Sequence, residues 1–364
     1  MSATTQQMFP CRQCGAKLEY QPGTSAQVCP YCGAENAIAH SAEPIEELNY
    51  VAALDAAANS AETIDVITVK CDACGAESTK APHVTSGQCP FCGANIVATG
   101  ASTKKFKPKA LLPFDIDHKR ARELFQQWIR GLWFAPNALK KLARQDSPVN
   151  GLYCPYWTYD CKTTTTYSGQ RGDDYWVTES YTTRVNGRTE RRTRQVRRTR
   201  WTSVSGTVYN QFDDVLVVAS ESLPRKYAQA LEPWDLEKLV PYQDAYLAGF
   251  RAESYQVDLP NGFERAKEIM APTIHQTICS DIGGDHQRVT SQNSLYAAVT
   301  FKHILLPVWL SAYRYRNTIY RFLVNARTGE VQGERPWSWV KITLAALAGA
   351  ALIAAVAYGI AQSQ

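Results

Sequence analysis

The chain has 364 residues, with 39 lysines and arginines against 34 aspartates and glutamates, which gives a net charge of +5. Its length predicts two or three domains, and so mild a charge is less informative than the places where the charges lie. Eleven cysteines would indicate a disulfide-rich secreted protein, but eight have metal-ligand spacing, and residues 1–10 are too polar for a signal peptide. We therefore expect the N-terminal part to lie in a reducing cytosol.

One short sequence, Cys-x-x-Cys-Gly, occurs four times in the N-terminal part. Fourteen residues separate the inner cysteines of each set, and the second set follows the first after sixty residues. Two such turns complete a closed shell of four thiolates around a tetrahedral ion. The pattern predicts two zinc ribbons, at residues 1–40 and 64–100, with iron in a rubredoxin-like site as the alternative metal. The ligands are Cys11, Cys14, Cys29, Cys32, Cys71, Cys74, Cys89 and Cys92.

Both predicted Zn²⁺ ions are structural, because the protein supplies all four ligands and leaves no position for a water or a substrate. Each ribbon has about thirty residues, which is too few to fold on a hydrophobic core alone. Zinc binding of roughly 10–16 kcal/mol per site is expected to supply the folding free energy. A glycine after each pair permits the positive φ with which the backbone turns beneath the sulfurs; these are Gly15, Gly33, Gly75 and Gly93.

The segment between the ribbons, residues 41–63, has apolar residues spaced for one face of a helix. We predict a short amphipathic spacer helix that packs on a ribbon, and docking to a partner is the alternative. Residues 64–70 are predicted to form the strand that leads into the second ribbon. The apolar residues of the spacer are Ile45, Leu48, Val51 and Leu54.

Residues 101–336 are predicted to form a β-rich body, so that the whole chain belongs to the α+β class. A basic linker comes first, and Pro108 prevents it from forming a helix. A helix is predicted from about His118 to about Phe134, with Asp117 as its N-cap. Its apolar stripe would face the core of the body.

The pattern changes to strands at Gly151, where the sequence is rich in aromatic residues and bounded by Gly and Asp. The sequence Pro-x-Trp at residues 155–157 returns at residues 307–309, which suggests two similar halves of one body. Helical segments are predicted between these two places. Three cysteines of the body have no partner motif and are interpreted as partly buried thiols: Cys154, Cys161 and Cys279.

The most unusual part of the body is residues 173–200. Asn186-Gly187 is a type I′ turn signal, and folding about it places Glu179 opposite Arg194. Eight arginines on this hairpin predict a site for an anionic partner, namely nucleic acid, anionic lipid headgroups or an acidic protein. The alternative is a charged strand edge that resists aggregation. The arginines are Arg184, Arg188, Arg191, Arg192, Arg194, Arg197, Arg198 and Arg200.

The C-terminal segment, residues 337–364, contains nineteen residues without charge, from Ile342 to Ile360. At about 1.5 Å per residue, such a helix is close to the ~30 Å thickness of the hydrocarbon core of a bilayer. Trp337 and Trp339 suit the membrane interface, and Lys341 marks its near edge. We predict a single-pass tail anchor in the inner membrane, with the N-terminal bulk in the cytoplasm; a buried core helix is the alternative.

Three parts of the chain resemble a family of bacterial zinc-ribbon membrane proteins. They are the Cys-Pro-Tyr-Cys-Gly and Cys-Pro-Phe-Cys-Gly motifs, the Pro-Tyr-Trp-Thr-Tyr motif, and the segment from Leu-Leu-Pro-Val-Trp-Leu to Val-Asn-Ala-Arg-Thr-Gly-Glu. Members are often labelled primosomal protein N′-like helicases or transcription-factor-IIB-type zinc-ribbon proteins. Some relatives are associated with phage-shock protein A and flotillin-like (SPFH) scaffolds. The resemblance implies zinc on the eight cysteines, no catalytic residue, and a role in membrane stress or scaffold recruitment.

Helicase activity is not expected, because the chain lacks the Gly-x4-Gly-Lys-Ser/Thr phosphate loop. It also lacks Gly-x-Ser-x-Gly, His-Glu-x-x-His and Gly-x-Gly-x-x-Gly, so no catalytic residue and no small-molecule substrate is predicted. The leading hypothesis is a non-enzymatic, membrane-anchored adaptor that recruits or scaffolds cytosolic protein partners. The alternative is a nucleic-acid-binding protein that uses the ribbons and the arginine hairpin.

Overall fold

The computed structural model describes residues 9–39, 41, 43–56, 63–71, 77–79, 86–88, 95–97, 101–137, 149–185, 188–315 and 318–362. Within them, three small sheets lie in the N-terminal part, and one nine-stranded sheet forms the body. Helices pack on that sheet, and a long apolar helix follows it. The described structure is therefore mixed and rich in sheet, as predicted.

The N-terminal segment begins with a three-stranded antiparallel sheet whose strands are joined in order. A two-residue strand and a short helix follow it. In chain order these elements are β1 (Glu19–Tyr20), β2 (Ala26–Val28), β3 (Glu35–Ala37), β4 (Leu48–Asn49) and α1 (Tyr50–Ala56).

The predicted spacer helix is wrong in its first part. Leu48 lies on β4 and pairs with Phe301 of the body, so the helix begins only at Tyr50. Contacts with the body override the helical spacing here, because the Glu47 carboxylate accepts hydrogen bonds from Thr300 at 2.8 Å and from Lys302 at 3.0 Å. The segment after the first ribbon is thereby joined to the body sheet.

Two more small sheets lie between residues 63 and 106. Strand β5 (Thr63–Lys70) pairs with β6 (Glu77–Thr79) and with β9 (Ala101–Phe106), while β7 (Ser86–Gln88) pairs with β8 (Asn95–Val97). The predicted strand at residues 64–70 is confirmed. The start of the body and the first part of the predicted basic linker form β9 instead, because their backbone completes the sheet against β5.

The pairing of β7 with β8 repeats the pairing of β2 with β3 at an offset of sixty residues. Ala26 faces Ala37 in the first hairpin, and Ser86 faces Val97 in the second. The other two pairs of each hairpin have the same offset. The repeat in the sequence is therefore also a repeat of backbone register.

Three very long strands dominate the body sheet, and the middle one, β11, pairs antiparallel with the other two. These strands are β11 (Asn150–Val185), β12 (Arg188–Val218) and β15 (His286–Tyr315). Shorter strands complete the sheet around β11 and β15. They are β4 together with β10 (Ala110–Leu111), β13 (Val240–Pro241), β14 (Arg251–Ala252), β16 (Thr318–Asn325) and β17 (Val331–Gly333).

Helices lie on the body sheet, and the last helix leaves it. Helix α2 begins at the predicted N-cap, since the Asp117 carboxylate accepts a hydrogen bond from the Arg120 N–H at 2.7 Å. It ends three residues earlier than predicted, and Phe125 stacks on Phe322 of β16. Among the described residues, the α-helices after α1 are α2 (His118–Gly131), α3 (Arg225–Gln229), α4 (Leu259–Ile282) and α5 (Trp339–Gln362).

The two Pro-x-Trp sequences lie side by side on central strands. Tyr153 of β11 faces Pro307 of β15, and Pro155 faces Leu305. The tryptophans of both sequences are buried and donate hydrogen bonds to loop carbonyls, Trp157 to Val257 at 2.9 Å and Trp309 to Ile116 at 2.8 Å. These buried side chains form the core between the sheet and the segments that cross it.

The first small sheet is docked on the body through Tyr20, which is buried. The Tyr20 hydroxyl donates to the Phe114 carbonyl at 3.1 Å, and its ring lies 5.3 Å from the ring of Tyr246. The Gln27 side chain donates to the Ala245 carbonyl at 2.9 Å. The first ribbon is therefore fixed to the body and does not swing on a free linker.

A pair of glycine substitutions tests the packing of α4 on the sheet. A Cβ at Gly262 would lie 2.3 Å from the Tyr159 hydroxyl oxygen, so Gly262→Ala is expected to cost about 1–3 kcal/mol of stability through overpacking. Gly131→Ala meets nothing within 4 Å and is expected to change stability by less than about 1 kcal/mol. Melting temperatures of the full-length protein in detergent measure both changes, and equal values for both variants would contradict this packing.

Candidate functional site

The two cysteine turns of the first ribbon have the same backbone. The N–H of Cys11 donates to the Ala16 carbonyl at 2.7 Å, and the N–H of Cys29 donates to the Ala34 carbonyl at 3.0 Å. Gly15 and Gly33 complete the turns with φ of 77° and 73°. A residue with a Cβ is strained at such φ values, so the glycine after each pair is required by the turn.

The four sulfurs of these turns lie close together. Cys11 Sγ is 3.6 Å from Cys32 Sγ, and Cys14 Sγ is 3.5 Å from Cys29 Sγ. All four sulfurs lie within 4.8 Å of one another. Sulfurs held at 2.3 Å from one tetrahedral zinc would be about 3.8 Å apart, so the donor set fits a metal ion. The sequence prediction of a four-cysteine cluster in the first ribbon is confirmed.

Hydrogen bonds prepare part of this cluster to ionise. The Cys32 N–H, assisted by the Tyr31 N–H, lowers the pKa of the Cys29 thiol to about 6. The Ala34 N–H acts in the same direction on Cys32, but the neighbouring thiols, Cys14 first, raise the pKa of Cys32 to about 12. Four thiolates so close together repel one another unless a cation lies between them, and a bound metal ion supplies that charge.

The cluster has a buried side and an exposed side. Cys11 and Cys29 are buried and pack with Leu18, whereas Cys14 and Cys32 are exposed. Tyr31 lies between the second pair of cysteines and is 83% exposed. The second cysteine turn therefore presents an aromatic side chain to solvent.

The second set of cysteines is described only in part. Cys71 is buried and belongs to the core cluster that contains Ala110 and Leu152 of the body. The predicted ligands Cys74, Cys89 and Cys92 lie outside the described residues. The second metal site therefore stays a prediction, which the repeated register of β7 and β8 favours.

Three carboxylates, Glu47, Asp160 and Asp213, also bring oxygens within 4.8 Å of one another. The protein supplies a cation beside them, because the Lys302 ammonium lies 3.0 Å from Glu47 and 2.8 Å from Asp214. Burial, followed by the hydrogen bond with Glu47, raises the pKa of Asp160 to about 6. These carboxylates lie where β4 contacts the body, beside a lysine that offsets their negative charge, and we assign no metal to them.

The predicted arginine hairpin forms a projecting arm, residues 173–185 and 188–200. Glu179 faces Arg194, as predicted, while the turn at Asn186-Gly187 lies outside the described residues. Strand β15 pairs with β11 only as far as Gly172. Beyond Gly172 the described strands β11 and β12 pair only with each other. The structure places all eight predicted arginines on this two-stranded arm: Arg184, Arg188, Arg191, Arg192, Arg194, Arg197, Arg198 and Arg200.

The arginines of the arm fall into two groups. Arg192 is paired with Glu190 at 3.1 Å, Arg194 and Arg198 are paired with Glu179, and Arg197 is paired with Asp174. Arg200 lies over the ring of Tyr175, with its guanidinium carbon 5.9 Å from the ring centroid. The three nearest the turn have no carboxylate within ion-pair distance among the described residues: Arg184, Arg188 and Arg191.

A network at the root of the arm was missed in the sequence. The Asp174 carboxylate accepts a hydrogen bond from Thr199 at 2.6 Å and lies 3.1 Å from His286 Nε2, and the hydrogen bond from Thr199 lowers the pKa of Asp174. The Asp285 carboxylate accepts from the Asp174 N–H at 2.8 Å. Asp285 and His286 therefore brace the arm where β15 begins.

Helix α5 contains a span of 20 residues, Trp339–Tyr358, with a mean hydropathy of 2.1. None of this span is buried, and all of it is exposed, Leu347 and Ile353 included, apart from the half-buried Lys341 and Ile342. The alternative of a buried core helix is therefore wrong, since no other part of the described structure covers the helix. Its length and composition are sufficient to cross a membrane.

The chain is similar to the uncharacterized protein YdjG of Bacillus subtilis (strain 168). The two sequences are 28% identical over an alignment of 266 positions, which covers 69% of this chain and 70% of that protein. No protein-family model matches the chain, and no solved structure matches it. That relative is uncharacterized, so the similarity assigns no activity to this chain, and the resemblance to the bacterial zinc-ribbon membrane proteins stays a prediction.

The substitution Cys29→Ser is expected to empty the metal site of the first ribbon, because it removes one of the two buried sulfur ligands. Elemental analysis of the purified full-length protein should then find one metal equivalent per chain fewer than in the wild type. Cys279→Ser is the control, since Cys279 lies on α4 and outside the cluster. Unchanged metal content in Cys29→Ser would contradict this assignment, and iron in place of zinc would identify a rubredoxin-like site.

Proposed function

We propose that the protein is a non-enzymatic adaptor, anchored in the inner membrane by α5, that recruits cytosolic protein partners to the bilayer. The observation that carries the proposal is the uncovered apolar helix α5 on a body that carries a metal-binding loop and a charged arm. The resemblance noted in the sequence supports a scaffold of the phage-shock protein A or SPFH type as the partner and membrane stress as the setting.

The anchor fixes which side of the membrane the body occupies. Arg335 precedes the apolar span, and Lys341 lies in its first turn. Positive charges beside a spanning helix remain on the cytoplasmic side. The N-terminal bulk, including the ribbons, is therefore cytoplasmic, where thiols stay reduced and available to metal.

The metal ions in this proposal are two zinc ions with a structural role. Four cysteine thiolates form a soft donor set that suits zinc, and a complete shell leaves no open position for a reaction. The first ion would lie between Cys11, Cys14, Cys29 and Cys32. The same spacing and the same hairpin register support an equivalent second ion on the cysteines of the second ribbon.

The exposed turn of the first ribbon is the proposed contact for the partner. Tyr31 extends into solvent from a loop that the metal holds rigid, so contact with its ring costs little conformational entropy. An exposed tyrosine offers both apolar area and a hydroxyl, which is typical of the residues that dominate protein interfaces.

Affinity capture from a detergent extract of native membranes tests the contact at Tyr31. We expect Tyr31→Ser to lower recovery of the partner at least about tenfold, the size of a ~1.4 kcal/mol loss in binding, with metal content unchanged. Tyr209→Ser is the matched control, because Tyr209 is also highly exposed but lies on β12, away from the metal site.

Three outcomes separate the ribbon from the rest of the proposal. Cys29→Ser should lose the partner together with the metal. Equal recovery from the wild type, Tyr31→Ser and Cys29→Ser would contradict partner binding by the first ribbon. Failure of any full-length form to remain with membranes would contradict the anchor instead.

Nucleic-acid binding is the second candidate, and the turn end of the arm favours it. Arg184, Arg188 and Arg191 have no carboxylate partner among the described residues, and Trp176, further down the arm, is 66% exposed and available for stacking on a base. Such a surface would bind phosphates with an affinity that depends steeply on salt.

Replacing Arg184, Arg188 and Arg191 together by serine tests this candidate. The slope of log affinity against log salt concentration is negative, and each lost phosphate contact should reduce its magnitude by about 0.7–0.9. Arg171→Ser is the control, because Arg171 is paired with Asp173 at 2.9 Å and lies below the arm. Absence of binding by the wild-type protein at low salt would rule out the candidate.

A further inference from the structure

Four large aromatic side chains lie around the joint where α2 ends and α5 begins, and we call them the aromatic collar. Trp133 is 82% exposed and Trp339 is 75% exposed. Phe134 and Trp337 contact each other, with ring centroids 6.5 Å apart, and both are also exposed. Exposed apolar residues in a group of this kind mark a surface that another phase or molecule covers.

The joint fixes this collar to the anchor. The Lys341 ammonium donates hydrogen bonds to the Trp133 carbonyl at 3.3 Å, the Ala135 carbonyl at 2.8 Å and the Asn137 side-chain oxygen at 2.8 Å. The Ser338 N–H donates to the Phe134 carbonyl at 2.8 Å. Because Lys341 and Ser338 lie at the start of the apolar helix, these bonds hold the end of α2 at the level where that helix begins.

The charged side chains at the joint also suit a position at the membrane surface, where the apolar helix begins. Lys341 satisfies its three donors on protein oxygens, so its charge does not need water from the bilayer side. The Arg335 guanidinium lies over the Trp337 ring, 4.4 Å from its centroid. Tryptophan beside lysine and arginine is typical of protein segments that lie in the headgroup layer on the cytoplasmic side of a bilayer.

We propose that the aromatic collar lies in the headgroup layer of the membrane, so that Trp133 and Phe134 form a second membrane contact beside the spanning helix. The occupant is the bilayer surface, because the collar is continuous with the uncovered helix α5. The inference rests on the anchor in the proposed function. Two contacts joined by the Lys341 hydrogen bonds fix the orientation of the body, whereas one helix on a free linker would not.

The arm lies at the other end of β11. Val149, which precedes β11, packs in the same core cluster as Leu132 and Ala135 beside the collar. Trp176 follows Asn150 by 26 residues on one continuous strand. At about 3.3 Å per residue, this is roughly 85 Å of strand, so Trp176 serves as a reference residue remote from the membrane contact.

Quenching of tryptophan fluorescence by lipids brominated near the headgroup tests the collar. Full-length protein is reconstituted into vesicles of phosphatidylcholine and phosphatidylglycerol, with and without the brominated lipids. Trp133→Phe keeps an aromatic side chain but removes one emitter, so the quenched fraction of the emission should fall. Trp176→Phe removes an emitter remote from the collar, so the quenched fraction should rise.

The results separate this inference from the anchor on which it rests. Resistance of all three proteins to alkaline carbonate extraction shows that α5 is inserted. If they resist extraction but Trp133→Phe raises the quenched fraction as Trp176→Phe does, the collar contact is wrong and the anchor stands. Release of the wild-type protein by carbonate overturns the anchor and the collar together.

Discussion

Backbone pairing along β11 is the constraint on which the rest of the structure depends. This strand pairs with β15 from Asn150 to Gly172 and with β12 as far as Val185. Its first part is covered by helices and forms the core of the body, while its last part continues as a two-stranded arm. The pairing of β11 therefore determines both the core of the body and the position of the arm. The arm continues the strand that is buried in the body, so the buried part of β11 sets the direction in which the arm extends.

The point where the third strand ends is reinforced by charge and hydrogen bonding. Asp174 lies just beyond the last β11–β15 pair and binds Thr199, His286 and Arg197, which come from both neighbouring strands. A two-stranded ribbon is marginally stable without further contacts, and this network supplies them at the base of the arm. The arm therefore combines a braced root with an end where three arginines have no acidic partner among the described residues.

Two attachments connect the body to the functional surfaces at its ends. Tyr20 fixes the first small sheet by burying its ring among body aromatics, and Lys341 fixes the apolar helix by binding oxygens at the end of α2. Both attachments place a polar atom of a large side chain on a backbone carbonyl of another segment, which satisfies that atom within the protein. The cysteine cluster, the arm and the apolar helix therefore extend from one body.

The sequence by itself determined the features that depend on residues close together in the chain. The Cys-x-x-Cys-Gly turns, the Asp117 cap, the register of the hairpin and the uncharged helix follow from local geometry, and the described residues match them. Only the tertiary structure decided that Leu48 pairs with Phe301, that the first part of the basic linker forms β9, and that Lys341 joins α5 to α2. Those contacts join residues far apart in the chain, and local spacing carries no information about which distant surfaces meet.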